Sequence, residues 1–200
     1  MEQSFDLQET YRVIRAEADS LRALIESLDA QALTRVIHAL VACHGKVILS
    51  GCGTSAMAAQ KIAHSLCCIE RPALFLTPSD AVHGALGVLQ KEDILILISK
   101  GGNTAELTHM ISACKTKGSL LIGVCETAES TIARQADIFL NVKVSAEPDP
   151  FNMLATSSTL AVISVFDAIC ITLMKITGYT REQFAVIHPG GAVGERLLKK

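Results

Sequence analysis

The stretch from Ile94 to Glu106 constrains the fold more than any other part of the chain. It begins as an unbroken run of isoleucine and leucine, continues from Ser99 into a loop with two adjacent glycines, and opens a helix at Asn103 or Thr104. An apolar run of this length is typical of a parallel strand that is buried on both faces. A strand, a glycine loop and a helix N-terminus in this order aim backbone N–H groups at one point, which favours an anion such as phosphate.

Glu106 lies one turn into that helix. A carboxylate at this position would repel an anion held by the loop, so it has two possible roles. It either stabilises the positive end of the helix dipole, or it faces the reacting end of a ligand whose phosphate is bound nearby. The sequence leaves both roles open.

Four further apolar segments alternate with helical ones along the chain. They are residues 46–50, 73–76, 120–125 and 138–144. Strands separated by helices predict an α/β fold with a doubly wound, mostly parallel five-stranded sheet flanked by helices. Residues 5–43 have helical periodicity instead, with a break that Asp29 is suited to cap. We therefore predict one domain over residues 1–200, with N-terminal helices in 1–45 and the sheet-bearing core in 46–200.

The composition narrows the class of protein. Half of the 200 residues are hydrophobic, which suits one domain with a sizeable core. A net charge of −2, two Tyr and no Trp argue against a nucleic-acid surface. The seven cysteines form no C-x-x-C pair, which favours reduced core residues over disulfides or a zinc site. Because the first ten residues are acidic and polar, we predict no signal peptide and a cytoplasmic protein.

The segment from Met153 to Ile176 is long and apolar enough to raise the question of a membrane span. Four consecutive hydroxyl residues at 156–159 and Asp167 interrupt it. We predict instead a helix that is buried on every side, within the domain or against a second subunit, and no membrane partner. Its apolar faces exceed what one small sheet can cover, so we expect at least a dimer.

A second glycine turn has the same arrangement as the first, between an apolar run and a helical segment. Gly51-Cys52-Gly53-Thr54-Ser55 follows an apolar run and precedes a helical segment. Alone, this pattern is a weak signal, since many strand-to-helix turns use glycine for close packing. Two such turns in one sheet favour a shared site for a polyol phosphate.

These motifs together resemble the sugar isomerase (SIS) domain of the arabinose-5-phosphate isomerase family. The resemblance covers about residues 40–198 and rests on the G-x-G-x-S and S-x-G-G-x-T-x-E turns, LATSST, AVHGALG and HPGGAVGERLL. It implies a five-stranded α/β sandwich and a homotetramer with active sites at subunit interfaces. It also implies interconversion of D-arabinose 5-phosphate and D-ribulose 5-phosphate, with no cofactor.

Carried over by position, the resemblance assigns site residues. It puts the chemistry on His83, Glu106, Glu147 and His188, which suit the proton transfers of an enediolate reaction. It assigns the substrate phosphate to the hydroxyls and loops of Gly53, Thr54, Ser55, Ser99, Lys100, Gly101, Gly102, Asn103, Thr104, Thr156, Ser157 and Ser158. Glu147 also fits a solvated loop carboxylate, and the histidines fit core positions less well because they neighbour glycines.

The chain departs from the family pattern at four positions. Thr54 stands where the family has lysine, and Gly101 where it usually has a second serine. Lys100 is a candidate for the replacement charge. Thr77 occupies the position of a histidine that binds metal in some relatives, so we predict no metal. We also expect no C-terminal pair of regulatory CBS domains.

Three hypotheses follow from the matches and the departures. The first is a catalytic pentose-phosphate isomerase, the second a regulatory module that binds sugar phosphate without turnover, and the third an isomerase of another phosphosugar such as hexulose 6-phosphate. The retained His83 and His188 favour the first over the second.

Overall fold

A computed structural model describes residues 6–190 and 194. Its centre is a five-stranded sheet in the order β2-β1-β3-β4-β5, in which every neighbouring pair is parallel. The strands are β1 (Val47–Gly51), β2 (Ala73–Phe75), β3 (Ile94–Ile98), β4 (Leu120–Cys125) and β5 (Ile138–Asn141). The prediction of a doubly wound α/β fold is confirmed, and the described strands are all parallel rather than mostly so.

Helices cover both faces of the sheet. They are α1 (Leu7–Ser27), α2 (Ala30–Ala42), α3 (Thr54–Cys67), α4 (Pro78–Ala81), α5 (Ala105–Lys117), α6 (Thr131–Gln135), α7 (Ser157–Thr177) and α8 (Arg181–Ile187), with a 3₁₀ turn at Ala85–Val88. The chain moves from β1 outward to β2 and then back past β1 to β3. The direction of winding thus reverses between β1 and β3, and in open α/β sheets ligands bind at the carboxyl ends of the strands beside such a point.

Two cores sandwich the sheet, which explains the continuous apolar runs in the sequence. Leu49 and Ile96 point to a core formed with α1, α2, α3 and α7. Ile48 and Leu97 point to the opposite core, against α4, α5 and α6. Because both faces of a central strand are covered, each of its residues is buried and no polar alternation appears.

The N-terminal helices belong to the first of these cores. Asp29 caps α2 by accepting a hydrogen bond from the backbone N–H of Gln31 at 2.8 Å, as the sequence predicts. Leu24 of α1 and Val36 of α2 are buried in the same cluster as Phe166 of α7. The helical segment therefore completes the core of the sheet.

Helix α7 begins at Ser157, four residues later than the predicted start at Met153. The Asp149 carboxylate explains the delay, because it accepts hydrogen bonds from the N–H groups of Phe151, Met153 and Leu154 at 2.8–2.9 Å. Backbone groups that bond to a side chain in this way are taken from the helix ladder. The last strand ends at Asn141 rather than at residue 144. At this end of the strand the Asn141 side-chain NH2 group donates to the carbonyl of Glu126 at 2.9 Å.

Within the described residues, α7 is the one helix long and apolar enough to cross a membrane. One of its faces is buried in the domain, through residues such as Phe166 and Leu173. The other face exposes Leu160, Ile171 and Ile176. The expectation of burial on every side therefore holds within this chain for one face only.

Candidate active site

The first wall of the candidate site is the turn between β1 and α3. A Cβ added to Gly51 would lie 2.7 Å from the carbonyl oxygen of Ser55, so the strand and the helix approach too closely for any other residue. Gly53 has a positive φ of 57° and directly precedes the first helical residue, Thr54. The turn therefore presents the N-terminus of α3, with Thr54 and Ser55, at the carboxyl edge of the sheet.

The second wall is the loop between β3 and α5. The Ser99 hydroxyl accepts a hydrogen bond from the Gly102 N–H at 3.1 Å and lies 2.9 Å from the Thr104 hydroxyl. Gly102 has a φ of +67°, and a Cβ there would stand 2.2 Å from the Ser130 hydroxyl. The loop is thus held in one conformation by its own hydroxyls and by close contact with the segment that precedes α6.

Asn103 fastens this loop to α6. Its side-chain oxygen accepts the Thr131 N–H at 2.8 Å, and the Gly102 carbonyl accepts the Ile132 N–H at 3.0 Å. The Asn103 side-chain oxygen is therefore occupied by the N-terminus of α6, while its NH2 group donates to the Gly101 carbonyl at 3.3 Å. Gly101 remains exposed at the tip of the loop.

A cavity of about 90 Å³ opens between these turns and α7. Its polar lining brings together four predicted binding residues, Thr54, Ser55, Lys100 and Ser158, and adds Glu126. Its apolar lining comes from the sheet and from helices α3 and α7, and includes Ile98, Val124, Cys125 and Val142.

Lys100, which lines this cavity, pairs with Glu147, and its Nζ lies 2.6 Å from Oε1. The other carboxylate oxygen accepts the N–H groups of Thr156 at 3.0 Å and of Ser158 at 3.4 Å, which start α7. Burial alone would raise the pKa of Glu147, but the Lys100 ammonium and these hydrogen bonds outweigh it and hold the pKa below its ordinary value. Both oxygens of Glu147 are therefore engaged, and the Lys100 charge is already compensated.

Glu106 lines a second cavity, on the other side of the α3 N-terminus. Gly53, Cys52 and Thr77 line it too. Thr104, not Glu106, is the N-cap residue of α5, and the Glu106 side chain is exposed. Glu106 lies in the first turn of α5 and also lines this cavity, so the structure is compatible with both of its possible roles, stabilisation of the helix dipole and contact with a ligand. Across residues 6–190 and 194, no group of three or more metal-ligating side chains is found.

The two predicted catalytic histidines line neither cavity. His83 is exposed in the turn between α4 and the 3₁₀ turn. His188 ends α8, where its ring stacks on Phe184 with centroids 3.9 Å apart and its Nδ1 lies 2.9 Å from the Phe184 carbonyl. Helix α8 contacts Glu70, which precedes β2 at the amino edge of the sheet. Of the motif HPGGAVGERLL, which begins at His188, residues 191–193 and 195–198 lie outside the described residues.

Glu126 is a site residue that the sequence analysis missed. It directly follows β4, and its Oε1 is buried without a hydrogen-bond partner among the described residues. Burial raises the pKa of Glu126, although the charges of Lys100 and Lys143 and the Val144 N–H oppose the shift. The signal was available, because the carboxyl end of β4 lies at the same edge as that of β3.

Residues 40–172 match the family model of the SIS domain. The chain therefore belongs to the SIS domain family. Arabinose 5-phosphate isomerase KdsD of Escherichia coli (strain K12) is 35% identical over 99% of this chain and 60% of its own length. KdsD of Pseudomonas aeruginosa is 34% identical over 61% of its own length. The chain thus spans about three fifths of these curated relatives.

Two solved structures are similar over nearly their whole length. A candidate sugar-phosphate isomerase from Listeria monocytogenes is 58% identical, with a TM-score of 0.92 over 94% of this chain and 100% of its own. The c3406 protein of E. coli CFT073, solved in complex with arabinose 5-phosphate, is 30% identical, with a TM-score of 0.88 over 92% of this chain and 97% of its own.

Proposed function

We propose that this protein is an aldose–ketose isomerase that interconverts D-arabinose 5-phosphate and D-ribulose 5-phosphate through an enediolate. The observation that carries the proposal is the pair of strand–loop–helix turns at the β1/β3 reversal, with a cavity on each side of the α3 N-terminus. The similarity to a structure in complex with arabinose 5-phosphate, and to enzymes named for this isomerisation, supports the choice of substrate.

In this proposal the phosphate binds where the N-termini of α3 and α5 converge. Backbone N–H groups and the hydroxyls of Ser55, Ser99 and Thr104 supply donors, and the helix dipoles favour the negative charge. The hydroxyl of Thr104 already lies in hydrogen-bond contact with that of Ser99, so the two would act as one unit.

Proton transfer is assigned to Glu106, since the isomerisation needs a base that moves a proton between C1 and C2. The exposed carboxylate in the second cavity is free to take this role. Glu147 is less suited to it, because its lowered pKa and fully engaged oxygens disfavour protonation near neutral pH. We assign it instead to holding Lys100 and the start of α7.

The same proposal includes a cytoplasmic homotetramer, or at least a dimer. Exposed apolar side chains on α7 and on the loop before it support this, notably Ile171, Phe151 and Met153. His188 lies away from both cavities of its own chain, so we infer that it and His83 would serve proton transfer at the site of a second copy. Sedimentation at micromolar concentration that gave only monomer would remove this part of the proposal.

The test is to incubate the protein with a panel of pentose and hexose phosphates in D₂O and follow the products by NMR. We expect arabinose 5-phosphate and ribulose 5-phosphate to interconvert, with deuterium entering at the carbon that loses the proton. Turnover of a hexulose 6-phosphate instead would keep the reaction class and change the substrate. A chain that turns over no sugar phosphate would overturn the isomerase proposal.

Variants separate chemistry from binding. Glu106→Gln and His188→Ala should each lower kcat by roughly 10²-fold, the usual share of general acid–base catalysis, and leave phosphate binding intact. His109→Ala, on the exposed face of α5, is the matched control and should retain activity. If the histidine acts across an interface, mixed Glu106→Gln and His188→Ala oligomers should recover part of the activity.

A regulatory module that binds sugar phosphate without turnover is the second candidate. Thr54 and Gly101 support it, because both lack groups that the isomerase family uses, and Lys100 is paired with Glu147. Calorimetry that detects tight binding of ribulose 5-phosphate by a chain with no turnover would favour this candidate over the enzyme.

A further inference from the structure

The backbone of Glu126 is fixed on both sides. Its N–H donates to the Lys100 carbonyl at 2.9 Å, and its carbonyl accepts the Asn141 amide at 2.9 Å. These bonds tie the first residue after β4 to the loop after β3 and to the end of β5. The Glu126 side chain therefore starts from a defined position and lines the cavity between α3, α7 and the sheet.

One carboxylate oxygen of Glu126 lacks a donor. Within the part of the chain that the structure describes, its Oε1 is fully buried and makes no hydrogen bond. An unpaired buried acceptor is costly, and native proteins nearly always satisfy such atoms. Glu126 is one of the residues that line the cavity, so a donor bound there lies next to this side chain.

The charges around the cavity indicate what kind of donor fits. Lys100 contributes one positive charge, which already lies 2.6 Å from Glu147, and Glu126 adds a second carboxyl group. Lys143 also acts on Glu126 from outside the cavity lining, but the lysine that lines the cavity is already paired, so a phosphate dianion placed here would face the Glu126 carboxyl group without a free ammonium beside it. A neutral hydroxyl group can donate to the free oxygen without that repulsion.

The rest of the lining suits a short polyol chain. Ser158 offers a hydroxyl, and the apolar side chains of Ile98, Val124 and Val142 can cover the carbon atoms. The N-terminus of α3, which is part of the phosphate site that we propose, lines the cavity through Thr54 and Ser55.

We propose that Glu126 accepts a hydrogen bond from a hydroxyl group of the sugar chain, and so selects polyhydroxylated phosphates over phosphate alone. This inference rests on the binding half of the proposed function. It adds a specificity-determining residue outside the predicted set.

The test compares two ligands by calorimetry on the full chain. D-Arabinitol 5-phosphate carries the hydroxyls but no carbonyl group, so it binds without reacting, and inorganic phosphate carries no hydroxyl chain. Glu126→Gln keeps the side-chain shape and loses the charged acceptor, whose hydrogen bond is worth about tenfold in affinity. We expect the Kd for arabinitol 5-phosphate to rise about tenfold, and the Kd for phosphate to stay within about twofold.

Glu129→Gln is the matched control, because Glu129 lies three residues further along and is exposed. It should change neither Kd. If Glu126→Gln shifts both ligands equally or neither, the inference is overturned and the isomerase proposal is untouched. If the wild type binds phosphate but not arabinitol 5-phosphate, the hydroxyl site does not exist. Tight, Glu126-dependent binding without turnover of any sugar phosphate would support the inference and overturn the isomerase proposal.

Discussion

Removing the Lys100 ammonium should destabilise the folded protein far more than removing an ordinary surface lysine. The Lys100 side chain is 38% exposed, but that of Glu147, its partner, is 0% exposed. Lys100→Met keeps much of the aliphatic stem and leaves the carboxylate buried without its cation. Breaking a buried ion pair in this way costs about 3–5 kcal/mol when nothing else compensates.

Two features of the structure reduce that cost. The N–H groups of Thr156 and Ser158 remain bonded to Glu147 at the positive end of α7. The partial exposure of Lys100 also means that solvent already screens the pair. We therefore expect a loss of about 2 kcal/mol in the free energy of unfolding at pH 7, or a fall in Tm of roughly 4–8 °C for a domain of this size.

Lys115→Met is the matched control. The Lys115 Nζ lies 2.5 Å from Oδ1 of Asp137, but the two side chains are 40% and 39% exposed. Removing such a surface pair should cost within about 1 kcal/mol. Urea unfolding at fixed protein concentration compares the two variants, and equal losses would refute the argument from the burial of Glu147.

The pH dependence supplies a second check on Lys100→Met. Because the folded-state pKa of Glu147 is lowered, its stabilising contribution exists above the unfolded pKa of about 4.3 and is lost as the pH falls through the folded value. In Lys100→Met, protonation of Glu147 at low pH removes the unpaired buried charge and so stabilises the folded variant instead. The difference between wild type and variant should therefore shrink as the pH falls from about 5 to about 3, and a constant difference would contradict the assignment.

Three other predictions follow from burial and backbone geometry. Gly102→Ala should destabilise by about 2 kcal/mol or more, since its Cβ would clash at 2.2 Å and its φ is positive, whereas Gly101→Ala, in open space, should be nearly neutral by thermal melting. Phe166→Ala, in the core, should cost about 3–5 kcal/mol in urea unfolding, against less than about 0.5 for Ile25→Ala at an exposed position of α1. Burial would raise the pKa of Asp93, but the hydrogen bonds from Lys46 and from the Gln90 N–H outweigh it and hold the pKa below its ordinary value, so Asp93→Asn should lose stability at pH 7. The loss should shrink as the pH falls from about 4 through the lowered folded-state pKa.

The fold was predictable because its strongest signals are local. The run from Ile94 to Ile98 can be satisfied only by a strand covered on both faces, and the glycines that follow it mark the turn to a helix. The order of elements then leaves few topologies. The start of α7 was mistaken for a different reason, because the Asp149 side chain diverts several backbone N–H groups and that competition depends on loop geometry.

The site was predictable only in outline. Sequence positions show which residues follow a strand, and Ser55, Lys100 and Ser158 do line one cavity. They do not show side-chain directions across the sheet edge. The pairing of Lys100 with Glu147 joins residues 47 positions apart. Helix α7, whose first N–H groups bind Glu147, starts later still in the sequence. Glu126 escaped notice because no motif includes it, although its place after β4 is as informative as that of Lys100 after β3.

The pairing of Lys100 changes the expected source of catalysis. With threonine at position 54, Lys100 was the candidate for the positive charge that stabilises a developing enediolate. Glu147 holds that charge at 2.6 Å, and Glu126 adds a carboxyl group to the cavity that Lys100 lines. Among the described residues that line the two cavities, the remaining sources of positive potential are helix N-termini. Those of α3 and α5 also have to hold the phosphate, and the N–H groups at the start of α7 are already bonded to Glu147. An isomerase built this way needs a donor from elsewhere, and in our proposal His188 of a second copy supplies one, so catalysis should require the oligomer even where sugar-phosphate binding does not.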